Sequence, residues 1–310
     1  YKNCKIFKLE QNYRSTKNIL ETASTLISHN NGRVEKKLWS SAQEGEKVKL
    51  NCYQTGREEA ESISDIAEKQ LKNKYSLNEV AILVRAIYQT REFEERFLKV
   101  GLGYRVLGGT KFYERAEVKD AVAYLRIINQ KYDDLALERV IGNPRRGIGE
   151  STLNQLYSFG SQNKLCLEDS IKKNLEADNL KPKMKTSLTQ LIKLIDKWRN
   201  DFKTNKHFDL LKIVLDESGY SEMLKNKKDI ENDNRLENIK ELLRAMHDYD
   251  NLQSFLEHVA LATSIDKEWE GEKINLMTMH AAKGLEFDVV FLPGWEEGLF
   301  PHQKSLEEKG

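Results

Sequence analysis

Ile274-Asn275-Leu276-Met277-Thr278-Met279-His280-Ala281-Ala282-Lys283-Gly284-Leu285-Glu286-Phe287-Asp288-Val289-Val290-Phe291 holds two strand-like runs around a short polar turn. The first run covers residues 274–278 and the second covers 288–292. Between them His280, Lys283 and Glu286 recur at every third position. A loop of this kind predicts two strands of an α/β sheet with chemically able side chains between them. Such folds place ligand chemistry at the carboxyl ends of their strands.

Working outward, the region before residue 116 alternates between strand and helix signals. Residues 47–53 alternate with period two, which predicts a half-buried strand. Residues 58–71 carry Ala60, Ile63, Ile66, Ala67 and Leu71 at helical spacing. Val80-Ala81-Ile82-Leu83-Val84 is a continuous apolar run, the pattern of a buried parallel strand. Residues 91–100 read as helix, and Tyr104-Arg105-Val106-Leu107 as a strand closed by Gly108-Gly109. This succession predicts βαβ units and a mostly parallel sheet. From residue 116 to 270 only helical stripes follow: Val118 to Ile128, Leu188 to Trp198 and Leu236 to Met246. Such stripes are core-facing surfaces before they are anything else. The expected architecture is therefore one α/β domain, residues 1–115 plus 271–310, interrupted by an all-helical insertion, residues 116–270.

The chain has 310 residues, of which 32% are charged, and its net charge is +1. Net basicity is thus no argument for nucleic acid, although local patches remain possible footprints. The three cysteines, Cys4, Cys52 and Cys166, lie far apart and form no CxxC pair. Neither a disulfide framework nor a zinc site is expected, and a reducing, cytoplasmic setting is. No apolar run approaches the ~18 residues of a membrane span, and no signal peptide opens the chain. The first residue is Tyr1 and the last stretch is charged, so both ends are expected to be cuts within a longer protein.

Three further segments carry candidate chemistry. In Leu9-Glu10-Gln11-Asn12-Tyr13-Arg14-Ser15-Thr16, Ser15 or Thr16 is placed to cap a helix through Ile19, Leu20, Ala23 and Leu26. Tyr13 and Arg14 then stand at the helix start. By themselves they fit a solvated surface pair or a nucleotide contact, with an aromatic face for a base and an arginine fork for a phosphate. Arg85 follows a buried strand and is a candidate phosphate contact. In Asn143-Pro144-Arg145-Arg146-Gly147-Ile148-Gly149-Glu150-Ser151-Thr152, Pro144 stops one helix and Ser151 or Thr152 starts the next. Gly147-Ile148-Gly149 lets the backbone approach a ligand at a helix N-terminus, with Arg145 and Arg146 adding positive charge. An ordinary helix–helix turn is the competing reading.

Together, residues 9–16 and 278–291 resemble motifs IV and V of superfamily 1 DNA helicases of the UvrD/PcrA/Rep type. The resemblance implies a RecA-like parallel-sheet domain (2A) with an inserted helical domain (2B). It implies a parent that hydrolyses ATP with Mg²⁺ and moves 3′ to 5′ on single-stranded DNA, in repair or replication. Tyr13 would pack on the ATP base, and Arg14 would reach the γ-phosphate as an arginine finger. Glu286 would face the nucleotide, while Thr278 and His280 would touch single-stranded DNA, with Lys283 a weaker candidate. Residues 294–302 continue the match, and His302 corresponds to a DNA contact. Residues 143–152 resemble a helix-hairpin-helix element, in which Arg145, Arg146, Gly147, Ile148, Gly149 and Thr152 would grip duplex backbone. Where the family often carries Asn, this chain has Ile87, which removes one expected hydrogen bond.

No G-x-x-x-x-G-K-[ST] run occurs anywhere in the chain, and no predicted strand offers a metal-holding acid pair. One side of an ATP site is therefore expected here, with no metal ligand, and the other side in a 1A/1B half of the same polypeptide. Alone, the chain is expected to be inactive as an ATPase. The partners implied are single-stranded and duplex DNA and repair or replication proteins, with no membrane. Two alternatives stay open: a non-catalytic DNA-binding or regulatory module, and the helicase part of a recombination nuclease. Hinges between the domains are expected near residues 113–116 and 269–272.

Overall fold

A computed structural model describes residues 7–29, 38–71, 74–226, 230–264 and 270–300. By internal contacts the chain divides into two compact units, residues 1–59 with 284–286, and residues 60–283 with 287–310.

In the first unit, α1 (Lys17–Ser28) forms where the apolar spacing predicts it and buries Leu20. Its start is built differently from expectation. Thr16 occupies the N-cap position, but its side chain makes no capping bond. Instead the amides of Lys17 and Asn18 donate to the carbonyls of Gln43 and Glu44, at 3.2 and 3.1 Å. Two of the orphan donors at the helix start are thereby satisfied by backbone rather than by a side chain. Gly45, at φ +73°, lets that segment pass so close that a methyl group there would lie 2.6 Å from Thr16. Residues 47–53 form no strand. Among the described residues no strand pairs with this segment, and Leu50 is left 89% exposed. An alternating pattern becomes a strand only when one face is buried.

The second unit contains the sheet, with β1 (Val80–Val84), β2 (Tyr104–Leu107), β3 (Ile274–Thr278) and β4 (Val289–Phe291). The order is β2-β3-β1-β4 and every pairing is parallel. β1 and β3 occupy the middle, which explains their nearly unbroken apolar sequences. Of the two polar residues in these strands, Asn275 and Thr278, Asn275 is fully buried and fully used. Its amide donates to the carbonyls of Asn78 and Val80 at 2.7 and 2.9 Å, and its oxygen accepts from Arg105 Nε at 2.6 Å. α2 (Gly56–Ile66) and α3 (Thr90–Val100) accompany the strands. Ala60, Ile63, Phe93 and Phe97 join Val80, Ile82, Tyr104, Ile274 and Leu276 in one hydrophobic cluster.

The remaining helices are α4 (Ala116–Asn129), α5 (Asp134–Gly142), α6 (Glu150–Asn163), α7 (Leu167–Glu176), α8 (Pro182–Asp201), α9 (His207–Glu217), α10 (Tyr220–Lys225), α11 (Ile230–Met246) and α12 (Leu252–Ser264). They share a second hydrophobic cluster centred on α4 and α8. Tyr124 meets Trp198 and Tyr220 edge-on, at centroid distances of 5.9 and 6.2 Å. Each such fully buried aromatic contributes about 2–3 kcal/mol of transfer free energy, with edge-to-face pairing adding to it.

A buried polar net joins α3 to α4, α11 and α12. Arg91 Nε donates to Glu241 at 2.9 Å. Arg115 reaches Asn238 at 2.6 Å, Thr90 at 2.7 Å and Glu94 at 3.3 Å. Asn238 donates in turn to Glu117 at 2.5 Å. Glu95 accepts from Tyr113 at 2.5 Å and lies 2.8 Å from His258 Nε2. Burial in such a place requires partners, because an unpaired buried charge costs several kcal/mol.

Candidate functional site

The first constellation lies within the first unit. Asn12 Oδ1 accepts from the amides of Arg14 and Ser15, both at 2.9 Å. This side-chain-to-backbone turn is what Asn does well, and it fixes the backbone of residues 12–15 ahead of α1. Tyr13 is thereby held out with 81% of its surface open. Arg14 Nε donates to Glu286 Oε1 at 2.8 Å across 272 residues of sequence. Both side chains are more than half exposed, so the pair adds at most about 1 kcal/mol to stability. Its consequence is positional: the guanidinium is oriented while its other donors face solvent.

The second constellation is the carboxyl edge of the sheet in the second unit. Val84 pairs with Thr278, and Leu107 with Met277, so β1, β2 and β3 end at one level. Arg85 is the next residue beyond that level and is half-buried. The Thr278 hydroxyl accepts from the Ala281 amide at 3.2 Å, and the Thr278 carbonyl accepts from Ala282 at 3.1 Å. Thr278 thus shapes the turn that leaves His280 and Lys283 exposed. Gly108, at φ +74°, lets the chain after β2 approach this turn; a methyl there would lie 3.0 Å from Ala281 Cβ. Sequence reading missed Gln89, whose side-chain oxygen accepts from the Ala86 amide at 2.8 Å and closes the turn after Arg85. A polar residue just ahead of a helix start was the available signal.

The third is the α5–α6 hairpin. Gly147 sits at φ +73°, a conformation that favours glycine, and no atom lies within 4 Å of where a side chain would begin. Gly149 is the N-cap of α6 in extended backbone, and its Cβ position is also open. No side chain caps that helix start, so the expectation that Ser151 or Thr152 does so is not met. Thr152 Oγ1 instead faces Met184 Sδ at 3.6 Å, and Ile148 packs on the helical core. The two arginines part company. Arg145 is exposed. Arg146 turns inward, where its guanidinium donates to the carbonyls of Val140 and Pro144 and to Tyr124 Oη. It closes the end of α5 by satisfying carbonyls that the helix leaves unpaired.

His302 lies outside the described residues. Among the described residues, no three His, Cys, Asp or Glu side chains stand where they could hold a metal ion. No helix among them is long and apolar enough to cross a membrane.

A four-stranded parallel sheet with helices packed on it and polar groups gathered at its carboxyl edge is consistent with a RecA-like α/β fold. Residues 7–310 match the family model of the UvrD-like helicase C-terminal domain, and the chain belongs to that family. It is 44% identical over 308 residues to the probable DNA helicase II homolog of Rickettsia conorii, covering 98% of this chain and 47% of that protein. It is 39% identical over 325 residues to the ATP-dependent DNA helicase PcrA of Bacillus subtilis, covering 100% of this chain and 44% of the relative. The PcrA of Staphylococcus aureus strain MRSA252 is 38% identical over 312 residues, with 97% of this chain and 42% of the relative covered. The chain therefore spans a little under half the length of these curated relatives.

Proposed function

We propose that this chain is the C-terminal half of an ATP-dependent DNA helicase that moves 3′ to 5′ on single-stranded DNA. Residues 1–115 and 271–310 would form its 2A domain and residues 116–270 its 2B domain. The observation that carries the reading is the Arg14–Glu286 contact of 2.8 Å. It brings together two motifs that were singled out independently at opposite ends of the chain.

In this reading ATP supplies the free energy, with Mg²⁺ held by residues of a 1A/1B half that also carries the phosphate loop. Tyr13 offers an open ring face to the base. Arg14, oriented by Glu286, directs its remaining donors at the terminal phosphate, where charge builds as phosphoryl transfer proceeds. Arg85, Thr278 and His280 hold a single strand at the carboxyl edge of the sheet, and Thr278 acts partly by shaping the turn. Residues 278–286 then carry DNA-facing and nucleotide-facing side chains on one short piece of backbone. That continuity supports a coupling of hydrolysis to strand movement. At the α5–α6 hairpin, Arg145 and the backbone of residues 147–149 meet duplex phosphate, while Arg146 positions them. Separated thiols fit a cytoplasmic setting, and repair or replication proteins are the natural associates.

The test uses a labelled duplex with a 3′ single-stranded tail, titrated at several salt concentrations. Binding should weaken steeply with salt as counterions are released. Gly149→Val is the informative variant, because its backbone is extended and its Cβ position is empty. The variant should fold as the parent does and lose about tenfold or more in duplex affinity, because only a docked backbone would meet the added methyl groups. Unchanged duplex binding would remove the hairpin from the interface.

A further inference from the structure

Trp295 is 47% exposed, and no role in catalysis or binding has been given to it. Its ring is backed by Phe300 at 4.5 Å between centroids with a 45° tilt. The turn that pairs them is tight: the Glu296 carbonyl accepts from the amides of Leu299 and Phe300 at 3.2 and 2.9 Å. Gly294 and Gly298 bracket it at φ +72° and +86°. An aromatic ring fixed on one face and open on the other is a stacking platform rather than a core residue caught at the surface.

Its place in the fold points to the occupant. β4 runs parallel to β1 with Ile82 opposite Phe291, so residues 292–295 leave the sheet at the same carboxyl edge as Arg85. Gly294 lies against the side-chain amide of Gln89, the residue that closes the turn after Arg85. Burial first, and then Glu237, Glu241 and Glu296, push the Tyr88 phenol above its usual pKa, which sets Glu296 near that same turn. Glu296 and Glu297 directly follow Trp295 and would repel a phosphate. The ring itself is uncharged, and an uncharged face at the same sheet edge as an arginine suits a base, with its phosphate toward the arginine.

We propose that Trp295, backed by Phe300, stacks on a base of single-stranded nucleic acid whose backbone is held at Arg85. The inference rests on the single-strand reading of this sheet edge given above and adds to it a base contact. Wild type, Trp295→Ala, Trp295→Phe and Arg85→Ala are titrated with a fluorescein-labelled oligo-dT strand at several salt concentrations, and with a blunt duplex. Trp295→Ala should lose about 5- to 100-fold in single-strand affinity, the range for removing a base-stacking aromatic. Trp295→Phe should keep most of it, and blunt-duplex binding should be unchanged. The salt slope should stay at the wild-type value in Trp295→Ala and fall in Arg85→Ala, because stacking releases no counterions and a phosphate contact does. Wild-type protein photocrosslinked to an iododeoxyuridine strand should carry the adduct on Trp295 or Phe300, a readout independent of any variant's folding. Wild type that binds the strand, with Trp295→Ala equal to it or the adduct elsewhere, would overturn the platform alone. Wild type that binds no single strand at low salt would overturn the underlying reading as well.

Discussion

Arg115→Met tests the buried polar net at its centre. The guanidinium of Arg115, 5% exposed, donates to Asn238, Thr90 and Glu94 and lies 5.2 Å from the Phe112 ring centroid. Methionine keeps much of the side-chain bulk and removes the charge. Burial holds the Glu94 carboxyl above the usual carboxylate range, and Arg115 is the main influence pulling it back. Without Arg115, Glu94 retains the Thr90 hydroxyl at 2.6 Å and the Phe112 amide at 2.9 Å, with Lys111 as a weaker positive influence, but loses its strongest opposing charge. Removing one partner of a buried ion pair costs about 3–5 kcal/mol. Glu94 can limit that loss by taking up a proton, and each pH unit above its unfolded value makes that escape about 1.4 kcal/mol more expensive. A carboxyl whose folded pKa is raised contributes stability below its unfolded pKa and loses it as pH climbs through the folded value. The penalty of Arg115→Met should therefore be at least about 1–2 kcal/mol larger at pH 8 than at pH 5. Urea unfolding at both values, on wild type, Arg115→Met, Glu94→Gln and the double variant, gives the numbers. The double variant should lose less than the sum of the singles by about 1 kcal/mol or more. A penalty under about 1 kcal/mol that is equal at both pH values would refute the claim that Arg115 neutralises Glu94.

Two other outcomes are expected. Arg14→Ala should leave the urea midpoint nearly unchanged, because its pair with Glu286 is open to solvent; in a longer polypeptide carrying the phosphate loop it should cut kcat for ATP hydrolysis by about 10³-fold or more in a steady-state assay. Trp198→Ala should cost about 3–5 kcal/mol in a denaturant titration, since the ring is fully buried against Tyr124 and its indole N–H donates to Glu217 at 2.9 Å.

The parts legible in the sequence were those in which a local pattern and its burial coincide. Residues 80–84 and 274–278 are apolar because both faces of a central parallel strand are covered. The 188–198 stripe became α8 because helical spacing collects those side chains on one face. Residues 47–53 show the limit, since alternation states which side chains could share a face and not whether a neighbour exists to cover it. Residues 90–95 show the opposite limit. Thr-Arg-Glu-Phe-Glu-Glu is mostly polar and lies in the helix its spacing predicts, yet Arg91 and Glu94 are buried. Their partners Glu241 and Arg115 stand 150 and 21 residues away, and no window of sequence contains both members of the longer pair. At the α5–α6 hairpin the pattern placed the glycines and the turn correctly. It gave no means to tell Arg145 from Arg146, because their difference lies in which carbonyls of α5 come within reach.

The same net bears on any rotation of α11 and α12 relative to α3. Of the two expected hinge segments, residues 113–116 contain Tyr113, bonded to Glu95, and Arg115, bonded to Glu94 and Asn238. Residue 269 of the other lies outside the described residues. A swing of α11 and α12 away from α3 about residues 113–116 would separate Arg91 from Glu241, Arg115 from Asn238 and Glu95 from His258. Separating Arg91 from Glu241 while both remain buried costs several kcal/mol, whereas separating them fully into water recovers most of their hydration. Intermediate positions are then the expensive ones. Rotation at this segment should be a step between two settled arrangements rather than a continuous drift. Arg115→Met, by loosening one of them, should shift the balance between the two.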